Sequence, residues 1–150
     1  MRRLFPILVT IMCLMLGYYF GTKDAISLII KERLIGLNEY INACRRNRYF
    51  SNELKQATEA KITAYIKEQL DGVHIHEPVR LSFRWYEENR KRDIDNIAMA
   101  KKFILDALVK SGVLVDDGMR WVKGFTDEFF LDREFPRVEV DIEGVGKNEG

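Results

Sequence analysis

Apolar and polar residues alternate most sharply from Val79 to Tyr86, with Val79, Leu81, Phe83 and Trp85 on one face and Arg80, Ser82, Arg84 and Tyr86 on the other. A period of two marks a half-buried strand. Ile26 to Ile30 is a second strand by its short, apolar, β-branched run, and Gly36 breaks the pattern after it. Leu37 to Tyr49 reads as helix. A longer helix is expected from a cap at Ser51 or Asn52 to about Leu70. Leu54, Thr58, Ile62, Tyr65 and Ile66 lie near helical spacing, and Asp71-Gly72 ends the run. After a charged turn from Glu87 to Arg92, another amphipathic helix is predicted from about Asp95 to Ser111. It turns Ile97, Ala100, Ile104, Ala107 and Leu108 to the core, with Gly112 as its C-terminal left-handed residue. Asp116-Asp117-Gly118 is turn chemistry, and Val113 to Val115 has room only for a short strand or connector. Trp121 to Phe130 and Val138 to Ile142 read as the last strands, joined around Pro136. The order β-α-α-β-α-β-β predicts an α+β domain, a mixed β-sheet with packed helices.

Size and composition fit that picture. At 150 residues, 47% hydrophobic and 31% charged, the chain is globular rather than disordered and has room for one domain with a modest core. Two cysteines, Cys13 and Cys44, give no disulfide framework and no paired zinc ligands, which suits a reducing cytosol.

The first twenty residues differ from the rest. Arg2 and Arg3 precede a nearly uncharged run from Leu4 to Phe20, at the lower length limit for crossing a bilayer, with no clear cleavage site after it. A retained membrane anchor, a signal-like leader and an upstream extension of the reading frame all fit. The expected organisation is therefore a hydrophobic segment over 1–24, the working domain over 25–145 and a frayed tail over 146–150. Localisation follows as cytoplasmic, or membrane-tethered if residues 4–20 are kept as an anchor.

Charge adds a partner class. The net charge is only +1, but from Arg80 to Lys102 seven basic residues (Arg80, Arg84, Arg90, Lys91, Arg92, Lys101, Lys102) outnumber four acids. Arg45, Arg46 and Arg48 make a second basic knot, and the acidic stretch after Asp127 offsets both. A local basic surface suits phosphate binding, although a solvated charged face is the plainer reading.

The acidic residues are the candidate chemistry. Magnesium, the usual agent of phosphodiester hydrolysis, takes carboxylate oxygens, water and substrate phosphate as ligands. Asp93 and Asp95 flank Ile94 at the mouth of a predicted helix and point the same way if that segment is extended. Helix capping is the commoner reason for aspartates at such a position, and the D-x-D alone favours it. Asp116-Asp117 is ordinary turn chemistry by itself. The Gly112 turn returns the chain through a connector limited to roughly 10 Å, so the two acidic pairs have room to approach. Lys101 and Lys102 lie one to two turns into the helix, within reach of a phosphate there or simply snorkelling from its surface.

These residues stand in ordered blocks: G-L-N-E-Y at 36–40, R-K-R-D-I-D-N at 90–96, K-K-F-I-L-D-A-L at 101–108 and S-G-V-L-V-D-D at 111–117. Together they resemble the RusA family of Holliday junction resolvases, from about Ile26 to Glu143. The resemblance implies a homodimeric enzyme, common in phages and prophages, that nicks opposed strands of four-way DNA junctions. It implies Mg²⁺ as cofactor, with Mn²⁺ as a substitute. Carried over by position, the catalytic, metal-binding aspartates are Asp93, Asp95 and Asp117, with Asp116 as the neighbour of the last. Arg92 matches the arginine before D-x-D. The active-site lysine precedes D-A-L by four positions, which selects Lys102, with Lys101 as fallback. Counting forward from Asp95 lands instead on Met99, because that interval is about three residues longer here, close to one helical turn. Arg90, Lys91, Arg92, Lys101, Arg45, Arg46 and Arg48 are the expected DNA contacts.

Other residues invite chemistry less strongly. His74 and His76 form H-x-H with no third ligand in sight. Trp85, Trp121, Phe125, Phe129 and Phe130 offer stacking surfaces, but core or dimer packing is the simpler expectation within strands. Two alternatives stay open: a nuclease for other branched DNA such as forks and flaps, and a non-catalytic DNA-binding or membrane-tethered protein that keeps the fold.

Overall fold

The computed structural model describes residues 25–146. The hydrophobic segment expected over 1–24 and all but the first residue of the tail expected over 146–150 lie outside the described residues. Eight elements follow one another: β1 (Ile26–Ile30), α1 (Leu37–Arg46), α2 (Arg48–Gln69), β2 (Val79–Glu87), α3 (Ile94–Ala98), α4 (Lys101–Lys110), β3 (Val122–Leu131) and β4 (Arg137–Gly144). This is a mixed α+β fold with packed helices. Among the described residues no helix is long and apolar enough to cross a membrane.

The four strands form one sheet in the order β1-β4-β2-β3. β4 runs antiparallel to both β1 and β2, whereas β2 and β3 are parallel. A parallel pair needs a long crossover, and α3 with α4 supplies it. The sequence places β3 and β4 in succession around Pro136, but the two are not neighbours, because β4 inserts between β1 and β2.

Period-two burial gives the sheet one apolar face. Leu28 and Ile30 from β1, Leu81, Phe83 and Trp85 from β2, and Val140 and Ile142 from β4 are buried there with Ile62 and Ile66 of α2 and Phe103, Ile104, Ala107 and Leu108 of α4. Alternate residues build a polar network on the other face. Arg84 donates to Glu139 at 2.9 Å and to Asp141 at 2.5 Å, Ser27 donates to Asp141 at 2.6 Å, and Arg137 donates to Glu139 at 2.8 Å. Burial pushes the Glu139 and Asp141 carboxyls up, but the arginine hydrogen bonds and charges outweigh it and hold both below the ordinary range.

Three helix boundaries differ from expectation, and the first helix ends at Arg46 rather than Tyr49. The long helix starts at Arg48, not Ser51, because the Asn47 side chain accepts a hydrogen bond from Phe50 N at 3.0 Å and caps it. Ser51 is already inside, donating to Arg48 O. The helix expected from Asp95 to Ser111 comes as α3 and α4. Between them Ala100 N bonds to Ile97 O and Lys102 N to Met99 O, a tightened turn of three-residue type. Its end matches expectation: Gly112 has φ +77°, Gly112 N bonds to Val109 O and Val113 N to Leu108 O, a Schellman motif.

Candidate active site

The segment carrying Asp93 and Asp95 begins where β2 ends. Glu87, the last residue of β2, is buried and grips Arg92 across the intervening turn. The Arg92 Nε donates to Glu87 Oε2 at 3.0 Å, and its Nη2 donates to Glu87 Oε1. Its third arm donates to Leu34 O at 3.0 Å. The guanidinium is therefore directed inward, and its fork is occupied by a carboxylate and a carbonyl. Arg90 and Lys91, on the exposed turn beside it, keep their charge at the surface.

Asn96, at the end of the D-x-D-N run, is buried, and its Oδ1 accepts a hydrogen bond from Asn38 N at 3.1 Å. A Cβ at Gly36 would collide with that oxygen and lie 3.0 Å from Arg92 Nη1. G-L-N-E-Y and D-I-D-N, far apart in sequence, are thus one packed unit, fastened by Arg92 and Asn96. Sequence reasoning took Arg92 for a DNA contact and gave Asn96 no role. The signal for both lay in their motifs, but the partners are remote.

Asp93 occupies the N-cap position of α3 in extended conformation, yet its side chain makes no capping hydrogen bond. Asp95 lies in the first turn of the same helix, and both carboxylates are exposed. Capping therefore does not engage the Asp93 carboxylate.

The second acidic pair lies beyond the Schellman turn, with Asp116 exposed and Asp117 partly buried. Asp117 Oδ2 accepts from Lys102 Nζ at 3.4 Å, and Asp106 Oδ1 accepts from the same ammonium at 2.7 Å. The Asp106 hydrogen bond, with the charges of both aspartates, holds the Lys102 ammonium above lysine's ordinary range against the opposing pull of burial. Lys101 goes elsewhere. Its Nζ donates to Asp127 at 2.6 Å and lies 4.7 Å from the centre of the Phe125 ring, while Trp85 Nε1 donates to the other Asp127 oxygen. Of the two lysines, only Lys102 reaches the Asp117 turn.

Among the described residues no three histidine, cysteine, aspartate or glutamate side chains are grouped to hold a metal ion. The structure pairs Lys102 with Asp117 but does not gather Asp93, Asp95 and Asp117 into one cluster. The donor chemistry still fits magnesium: exposed carboxylates stand at both positions, and neither Asp93 nor Asp95 is consumed by a described side-chain ion pair.

Arg45, Arg46 and Arg48 are exposed around the α1–α2 junction. Two aromatics missed by sequence reasoning stand with them: Tyr49 is largely exposed, Phe50 is partly so, and Arg46 stacks 4.7 Å over the Phe50 ring. Of the aromatics considered for stacking, Trp85 belongs to the core, whereas Phe125 and Phe130 are substantially exposed. His74 Nδ1 lies 2.8 Å from Gly112 O, at the end of α4.

A family model described as endodeoxyribonuclease RusA matches residues 29–143. Comparison with curated proteins gives no match.

Proposed function

The chain belongs to the RusA family of endodeoxyribonucleases, and on that premise we propose that it is a Mg²⁺-dependent enzyme resolving Holliday junctions by paired nicks. The observation that supports this most is the contact of Lys102 with Asp117, which joins the helix after D-x-D-N to the distal acidic turn.

Asp93, Asp95 and Asp117, with Asp116 beside the last, are the residues that would hold the metal. A bound divalent ion supplies a Lewis acid and a water of lowered pKa. In the hydrolysis, a water oxygen bonds to phosphorus, the bond to the 3′-oxygen breaks, and the departing oxygen takes up a proton. Lys102 places a positive charge beside the site, where it offsets the negative charge that builds on the phosphate oxygens. Arg90, Lys91, Arg45, Arg46 and Arg48 hold the DNA backbone, while Arg92 braces the Asp93–Asp95 segment from inside. A homodimer suits the substrate, because two opposed strands require two sites and a two-fold dimer matches a two-fold junction.

The test is cleavage of four-way junction, fork, flap and linear duplex by the full chain, with Mg²⁺ and with chelator. Symmetric paired nicks in the junction, abolished by chelator, are expected. Faster cutting of forks or flaps would replace the resolvase reading, and binding without cutting would leave a non-catalytic DNA-binding protein.

A further inference from the structure

Asp106 belongs to the D-A-L block, yet neither the proposed metal site nor the DNA contacts use it. Its carboxylate sits between two ammonium groups from different helices. Lys102 of α4 donates to Oδ1 at 2.7 Å, and Lys55 of α2 lies 3.6 Å from Oδ2. Lys55 also approaches Glu59 at 3.7 Å, and the largely buried Glu59 binds Lys110. Ion pairs thus run without a break from the α2–α4 packing to Lys102 and on to Asp117.

Within that chain the exposures are unequal. The Lys102 side chain is 60% exposed and the Asp106 side chain 14%. A free lysine spreads over many rotamers, whereas a short, enclosed carboxylate held from behind has few. Asp106 is therefore the fixed point and Lys102 the group being held. Helix stability does not account for the pair. Lysine precedes aspartate at i,i+4, the weaker order for a helix dipole, and such a helical pair stabilises by only about 0.2–0.5 kcal/mol.

We infer that Asp106 is a positioning residue that tethers the Lys102 ammonium beside Asp117. The inference rests on the reading of Lys102 as the cation that meets the phosphate. Without the tether the ammonium leaves the Asp117 turn for part of the time, and the rate falls while DNA binding, carried by other cations, does not.

Asp106→Asn keeps the shape and removes the charge. Side-chain NMR relaxation of Lys102 in the free protein should show a more mobile ε-methylene in D106N than in the wild type. Single-turnover cleavage of bound junction should fall roughly ten- to a hundredfold, with junction affinity unchanged and Asp106→Glu recovering most of the rate. In a Lys102→Met background, D106N should cost nothing further. Losses that multiply in the double variant, or a loosened Lys102 with undiminished cleavage, would overturn the tether and leave the nuclease reading standing. A wild type that cuts no branched DNA in Mg²⁺ overturns both.

Discussion

The Asn96 carboxamide oxygen accepts a hydrogen bond from the backbone N–H of Asn38, 58 positions earlier in the chain. Through it, the turn that opens α1 and the run that carries Asp93 and Asp95 are held as one body.

Gly36 lies in that contact with an ordinary φ of −99°, so its glycine answers to space and not to backbone conformation. Gly36→Ala drives a methyl group into Asn96 and Arg92. It should cost roughly 1–3 kcal/mol, as overpacking does, measured by urea unfolding. Cleavage should fall with it, because the displaced residues frame Asp93 and Asp95.

Arg92 and Glu87 are each 10% exposed at the side chain. Removing one strands the other as a buried charge, so Arg92→Ala should destabilise by about 3–5 kcal/mol. The salt dependence of junction binding should stay as in the wild type. A shallower salt slope with unchanged stability would return Arg92 to the DNA-binding set.

Arg45, Arg46 and Arg48 should behave in the opposite way. Their joint replacement by alanine should leave the unfolding midpoint in place. The slope of log affinity against log salt should become shallower by about 0.9 for each phosphate that is no longer neutralised. Junction binding over a salt series measures this directly.

Asp95→Asn should reduce cleavage to background while junction binding persists, since one oxygen ligand is lost and the basic side chains remain. Undiminished cutting by that variant would remove Asp95 from the metal set.

Acid should weaken the fold through the open face of the sheet. Glu139 and Asp141 titrate below their ordinary range when folded, held down by Arg84, with Arg137 also acting on Glu139 and Ser27 on Asp141, against the upward push of burial. A depressed folded value adds stability that is complete above the unfolded value, near 4, and is lost as pH falls through the folded one. Arg84→Met should lower stability at neutral pH and flatten this acid decline. Urea midpoints from neutral to acid pH for both proteins measure the difference.

The sequence carried the faces of the elements well. Alternation from Val79 to Tyr86 and the glycine after the last helix both correspond to β2 and the Schellman turn. Periodicity reports which side of an element is buried, but not its neighbour. The parallel β2–β3 pair and the insertion of β4 were therefore not legible. The Asn47 cap was missed because Ser51 and Asn52 offer similar chemistry a few residues later. At the candidate site, the motifs brought forward Asp93, Asp95, Asp117 and Lys102. The inward turn of Arg92 depends on Glu87 and Leu34, which no local pattern connects to it.

The position of β4 has a consequence for how the chain acquires its shape during synthesis. β1 emerges early, but its hydrogen-bonding partner is β4, with Ile26 opposite Ile142 and Ile30 opposite Val138. Until residues 137–144 leave the ribosome, the first strand has no place in the sheet, and β2 lacks a neighbour on one side. β4 is thus the strand that joins β1 to the rest of the sheet. A ribosome stalled before Arg137 would hold a nascent chain with its D-x-D-N segment already made and its first strand still waiting.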